Sequence, residues 1–96
     1  MAYGYVIAQI AVTDPEAYPA YVEQVEPIVR KFGGEFLVRG GRAKSYESAP
    51  LGDRNVVIRF PDFEAAQAWY HSDDYADAKV LRMAASNSIQ TIVEGV

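Results

Sequence analysis

From Tyr3 to Val12 the chain is β-branched, aromatic or small, with Gln9 the only strongly polar interruption, a pattern that predicts a buried strand. Thr13, Asp14 and Pro15 end it and signal a helix start: Asp14 can cap free backbone N–H groups, Pro15 presets the first turn, and Glu16 suits the positive helix end. Tyr18, Tyr21, Val22, Val25, Ile28, Val29 and Phe32 then recur every three or four residues, as one face of a helix requires. Pro19 and Pro27 argue against a straight rod and predict a kink near Pro27, before Gly33 and Gly34 stop the helix. Glu35 to Arg39 reads as a strand, Gly40 and Gly41 as a bulge or bend, and Ala43 to Glu47 as its continuation. Ser48 to Arg54, with Pro50 and Gly52, has hairpin-loop chemistry, and Asn55 to Phe60 supplies a third strand. Pro61 and Asp62 open a second helix with Phe63, Ala66, Trp69 and Tyr70 on one face. His71, Ser72 and Asp73 interrupt it, Ser72 or Asp74 caps a further helix to about Ala85, and Asn87 to Val93 closes as a strand.

This order, βαββαβ, predicts an α+β domain over residues 1–96: a ferredoxin-like, four-stranded antiparallel sheet with helices on one face. A bare second face normally alternates apolar with polar residues. Here Val6, Ile7 and Ala8 run together, as do Phe36, Leu37 and Val38, and Val56, Val57 and Ile58. Apolar groups therefore stand on both faces, and each one left wet forgoes roughly 1.5–3 kcal/mol of burial. A chain of 96 residues holds no third layer, so a second copy on twofold symmetry is the expected cover.

Composition narrows the chemistry. Half the residues are apolar, 23% are charged, and the net charge of -4 comes without clustered Lys or Arg, which argues against a nucleic-acid partner. Without cysteine there are no disulfides, thiolate metal sites or cysteine nucleophiles. The opening stretch lacks the basic start of a secretory signal, and no segment approaches the roughly 20 apolar residues of a membrane span, so no membrane and a cytoplasmic location are the expectation.

Several residues are candidates for a site. His71, the only histidine, sits at a helix end where an imidazole can move protons near neutral pH; a helix-capping role is the plainer reading. Asp73, Asp74 and Asp77 read as solvated helix-start acids rather than metal ligands. Arg82 shares a stripe with Tyr75 and Ala78, so it is expected to be partly buried and either to pair with an acid such as Glu35 or Glu47 or to bind an anion. Arg39 precedes Gly40 and Gly41, where a ligand or another backbone can approach closely. Tyr18, Tyr21, Tyr70 and Tyr75 fall on stripes facing the sheet and can wall a pocket for a small aromatic or carboxylated molecule, or pack as core; Trp69 reads as core. No GxGxxG, P-loop lysine, Ser-His-Asp spacing or metal motif is present.

At Gly33 to Gly41 (GGEFLVRGG), Arg54 to Tyr75 (RNVVIRFPDFEAAQAWYHSDDY) and Arg82, the chain resembles the bacterial family catalogued as domain of unknown function 1330. Where that family typically has Ser-Pro-Glu-Tyr, this chain has Ser72, Asp73, Asp74 and Tyr75. The resemblance implies a dimeric α/β barrel, two ferredoxin-like sheets packed face to face. It also implies kinship with cofactor-free monooxygenases and isomerases, but names no reaction. The expected function is a homodimer binding or acting on a small organic molecule between helices and sheet, with no cofactor, metal or nucleotide. Its site comprises Tyr21, Arg39, Gly40, Ser72, Tyr75 and Arg82, with His71 or Tyr70 moving a proton. The alternative is a non-enzymatic dimeric interaction module whose pocket is packed core.

Overall fold

The computed structural model describes residues 2–96. Its elements run β1 (Gly4–Val12), α1 (Tyr18–Lys31), β2 (Glu35–Arg39), β3 (Arg54–Phe60), α2 (Phe63–His71), α3 (Asp73–Ala85) and β4 (Ser86–Glu94). The strands form one antiparallel sheet in the order β2-β3-β1-β4, the ferredoxin-like arrangement expected from the chain.

Local chemistry accounts for most boundaries. Asp62 accepts a hydrogen bond from the Ala65 N–H at 2.7 Å and so caps α2. Where α1 ends, Gly33 takes a φ of +83°, the Gly33 N–H donates to the Arg30 carbonyl and the Gly34 N–H to that of Val29. That paired arrangement closes the last turn and needs the left-handed conformation that glycine adopts without steric cost.

Several expectations need correction. The helix does not begin at Pro15: Asp14 Oδ1 accepts from the Glu16 and Ala17 N–H groups in a preceding turn, and α1 starts at Tyr18. Pro19 therefore falls in the first turn, where its missing N–H would have had no helical partner, and it does not disturb the rod. The helix continues through Pro27 to Lys31.

Residues 43–47 form no strand; β2 stops at Arg39, where its pairing with β3 ends at Val56, and residues 40–53 cross as an exposed loop. The β2–β3 irregularity lies between Phe36 and Val38, not at Gly40 and Gly41. It leaves Leu37 as the extra residue and turns Val38 to the side of Val57.

Helices cover one face of the sheet. On that face Val6, Ala8, Ile10, Val56, Ile58 and Phe60 are buried against Tyr21, Val25 and Val29 of α1 and Ala66 and Trp69 of α2. Trp69 stacks on Tyr75 with ring centroids 4.3 Å apart and on Phe60 at 5.5 Å, so the largest side chains knit α2, α3 and β3 together.

The other face is uncovered in this chain. Ile7 sits between Val57 and Thr91 across the sheet, Tyr5 between Arg59 and Val93, and Val38 lies beside Val57. Ile7, Val38, Ile89 and Val93 are all 40% exposed or more.

Along β4 the usual polarity is inverted. Residues 86, 88, 90 and 92 share a side with Ala8 and Val6, so the side turned to the helices carries Ser86, Ser88 and Gln90 ahead of Ile92, while Ile89 and Val93 point away with Asn87 and Thr91.

Candidate functional site

Two strand edges and two arginines define what the interior offers. At the β2 edge, Arg39 is held inside the chain: Nη2 donates to the Val22 carbonyl at 3.1 Å, Nη1 lies 3.4 Å from Glu26 Oε1, and the guanidinium sits 4.2 Å from the centre of the Phe36 ring. Arg30 and then Arg39 hold the Glu26 carboxyl below its usual range. Gly40 adopts a φ of +73°, and a Cβ there would meet Arg54 Nη1 at 2.4 Å. The close approach expected at this glycine is therefore made by the Arg54 side chain.

At the opposite edge, Arg82 is 2% exposed and has no carboxylate partner among the described residues. Glu35, one of the acids expected to pair with it, lies 3.3 Å from Arg59 instead, and Glu47, the other, sits in the exposed loop. Arg82 Nη1 donates to the Ser88 hydroxyl, and Nε has no hydrogen-bond partner. Nearby, the Tyr21 and Tyr75 hydroxyls bond one another at 2.8 Å.

Burial is the main cause that raises both phenols above their ordinary range. For Tyr21 the neighbouring Tyr75 adds to it, whereas for Tyr75 the bond from Tyr21 and the Arg82 guanidinium, by its charge and as a hydrogen-bond donor, oppose it. Arg82 therefore faces neutral phenols, and among the described residues no carboxylate balances its charge.

The space around these groups is uneven. Between α1 and the sheet, a cavity lined by Tyr21, Trp69, Arg39 and Arg54 has a volume of about 20 Å³, room for about one water. Toward β4 it gives way to an open groove of about 310 Å³, lined by Tyr70, Arg82, Met83, Ser86, Asn87, Ser88 and Gln90. A neighbouring hollow of about 280 Å³ is bounded by Tyr70, His71, Gln90 and Ile92. Tyr70 and Gln90 border both, so the two lie side by side along β4.

The expected site residues thus divide. Arg82 and Tyr70 line the β4 groove, His71 lines the hollow beside it, and Tyr75 and Tyr21 form a buried pair near Arg82. Arg39 and Gly40 stand at the far sheet edge; Arg39 shares the inner cavity with Tyr21, and neither residue reaches the β4 groove. Ser72 is occupied as a joint: its hydroxyl donates to the Trp69 carbonyl at 2.8 Å and accepts from the Tyr75 N–H at 3.1 Å, ending α2 and capping α3. His71 is exposed and meets Tyr70 edge-on at 5.4 Å, while Lys79 Nζ lies 4.3 Å from the Tyr70 ring centre.

Gln90 and Ser88 were not among the expected residues, nor was the Trp69 indole as a polar group. Gln90 Oε1 and Trp69 Nε1 are both buried without a partner. For Gln90 and Ser88 a signal existed: polar residues at alternate positions of a closing strand, out of phase with Ile89 and Val93.

Comparison with known proteins agrees with this architecture. The profile of the family described as Domain of unknown function (DUF1330) matches residues 3–96. The chain belongs to that family. A similar solved structure is a protein of unknown function from Rhodopseudomonas palustris, with a TM-score of 0.79 and 18% identity over 99% of this chain and 83% of the other. SnoaB, a cofactor-independent oxygenase from Streptomyces nogalater, superposes with a TM-score of 0.64 at 11% identity, over 97% of this chain and 92% of its own. A putative antibiotic biosynthesis monooxygenase from Caulobacter crescentus reaches 0.62 at 13% identity, over 99% and 91%. At these identities the likeness is one of fold. No curated protein sequence matches the chain.

Proposed function

We propose that this DUF1330 protein is a cytoplasmic homodimer that binds, and acts on, a small organic anion in the groove between α2, α3 and β4, without metal or nucleotide. The observation that carries this reading is Arg82: a guanidinium 2% exposed, without an acid, bordering an open groove. Burying such a charge unpaired is costly, and an anionic ligand offsets that cost through charge-assisted hydrogen bonds. Tyr70 supplies an aromatic wall, and His71 at the rim is positioned to take or give a proton. Sharing a fold with a cofactor-independent oxygenase favours the enzymatic version.

The dimer rests on the uncovered sheet face, where Ile7, Val38, Ile89 and Val93 would be buried by the same face of a second copy. A second reading, a ligand-free dimeric module, draws on the small inner cavity of about 20 Å³.

Native mass spectrometry of freshly purified protein separates the two readings: a co-purifying acid supports the first, and a bare dimer that no carboxylate shifts in a thermal screen supports the second. An acid bound at 100 times its Kd raises stability by roughly 2.7 kcal/mol. Val57→Glu, at the centre of the open face, is expected to give monomers by sedimentation; a variant as dimeric and stable as the parent removes that interface.

A further inference from the structure

The partnerless atoms beside the groove differ in kind. Arg82 Nε is a donor, whereas Gln90 Oε1 is an acceptor; both are buried, both lack partners, and both residues line the same groove. An ordinary carboxylate satisfies only the first. With the Gln90 amide oriented as it is here, a carboxylate alone would bring Oε1 no donor, leaving a buried acceptor unpaired. Apolar walls flank the polar floor: Tyr70 and Met83 on the Arg82 side, Ile92 beyond Gln90. This pattern calls for a ligand with an anionic end, a hydrogen-bond donor a short way from it, and a flat or apolar body.

We infer that the groove selects aromatic or unsaturated carboxylic acids bearing an O–H or N–H donor close to the carboxylate, with Arg82 taking the carboxylate and Gln90 the donor. This rests on the anion-binding reading above and adds the identity of the second contact. Gln90 acts here as a specificity residue: Arg82 decides that an acid binds, and Gln90 decides which acid.

Two matched pairs of probes test the inference by titration followed in heteronuclear NMR spectra. In each, one member carries a donor where the other has an ether oxygen: pyrrole-2-carboxylate against furan-2-carboxylate, and 3-hydroxybenzoate against 3-methoxybenzoate. In at least one pair the donor-bearing acid is expected to bind roughly tenfold more tightly, the worth of one buried hydrogen bond together with the acceptor it rescues. Gln90→Leu is expected to reduce that preference to less than about twofold while the acids still bind. Gln90 lies on an edge strand, so this variant is judged on a melting profile matching the parent's.

Equal or reversed affinities within both pairs, or a preference that survives in Gln90→Leu, overturn the inference and leave Arg82 binding intact. If none of the four acids binds, or if folded Arg82→Lys and Arg82→Leu variants bind them as the parent does, the anion site itself fails and the selectivity fails with it. Inorganic phosphate serves as the remaining probe: binding at least as tight as that of the donor-bearing acids would assign the groove to any small anion and also overturn the inference.

Discussion

Arg39 and Arg82 both lie against the hydrophobic interior, one at each edge of the sheet, and their surroundings could hardly differ more. Arg39 has an acid, a backbone carbonyl and an aromatic ring, all supplied by α1 and its own strand. Arg82 is more deeply buried, yet it has one hydroxyl, two neutral phenols nearby and an open groove at its side. A guanidinium whose donors are met by the fold is part of the fold. One whose donors are left over is where the proposed ligand would bind. From sequence the two looked alike, each a basic residue beside small or apolar neighbours.

Swapping each arginine for leucine gives the sharpest break. Arg82→Leu is expected to weaken carboxylate binding by at least about 30-fold, roughly 2 kcal/mol, because a charge-assisted bond is lost. Its unfolding free energy should stay within about 1 kcal/mol of the parent or rise, since a buried unpaired charge is removed. Arg39→Leu should do the reverse, costing about 1–2 kcal/mol in urea denaturation while changing affinity less than about twofold. Matching losses of affinity in both variants would merge the two sites into one.

Alkaline pH probes the phenols that face Arg82. Tyr21 and Tyr75 keep their protons in the folded state above pH 10.0, where unfolded tyrosines release theirs. Their contribution is fully present below that pH and is lost as pH climbs toward the raised folded values. Each should remove about 1.4 kcal/mol per pH unit above 10.0. Tyr21→Phe should make the decline of stability shallower by one proton's worth. Stability that instead rises on approach to pH 10.0 would identify a phenolate as the counter-ion of Arg82, and the contrast with Arg39 would dissolve.

A smaller effect is expected at Gly40, where Ala would need a positive φ and would push its Cβ into the Arg54 side chain; about 1 kcal/mol of stability should go, with the β4 groove untouched. Smallest of all, Lys31→Ala breaks the exposed pair with Asp74 and should change the unfolding midpoint by less than about 0.5 kcal/mol equivalent.

Much of the architecture was written in local patterns. Asp62 and Ser72 are helix-starting residues by chemistry alone, and both cap the helices expected of them. The α1 stripe buries Tyr18, Tyr21, Val25 and Val29 as its spacing requires. Gly33 and Gly34 close α1 as expected, whereas Gly40, Gly41, Pro15 and Pro19 depart from expectation, because their effect depends on where the neighbouring elements begin and end. Gly40 follows the end of β2 instead of bulging it, its N–H donating to the Asn55 carbonyl from a positive φ, and Pro19 is harmless because the helix starts just before it.

The site was legible residue by residue but not as a set. Spacing placed Arg82 on a buried stripe, yet nothing in one dimension reveals that Glu35 is engaged by Arg59 or that Gln90 keeps an unmatched oxygen. Those are facts about who is left without company once the chain has closed.

The inverted polarity of β4 ties two properties to a single register. Ser88 and Gln90 look into the groove, and Ile89 and Val93 look out toward the face a second copy would cover. Insert or delete one amino acid ahead of Ser88 and the strand turns inside out: grease fills the chamber, and amide and hydroxyl meet the neighbour. The proposed recognition and self-association would thereby be yoked, so descendants of this chain should keep both or forfeit both together.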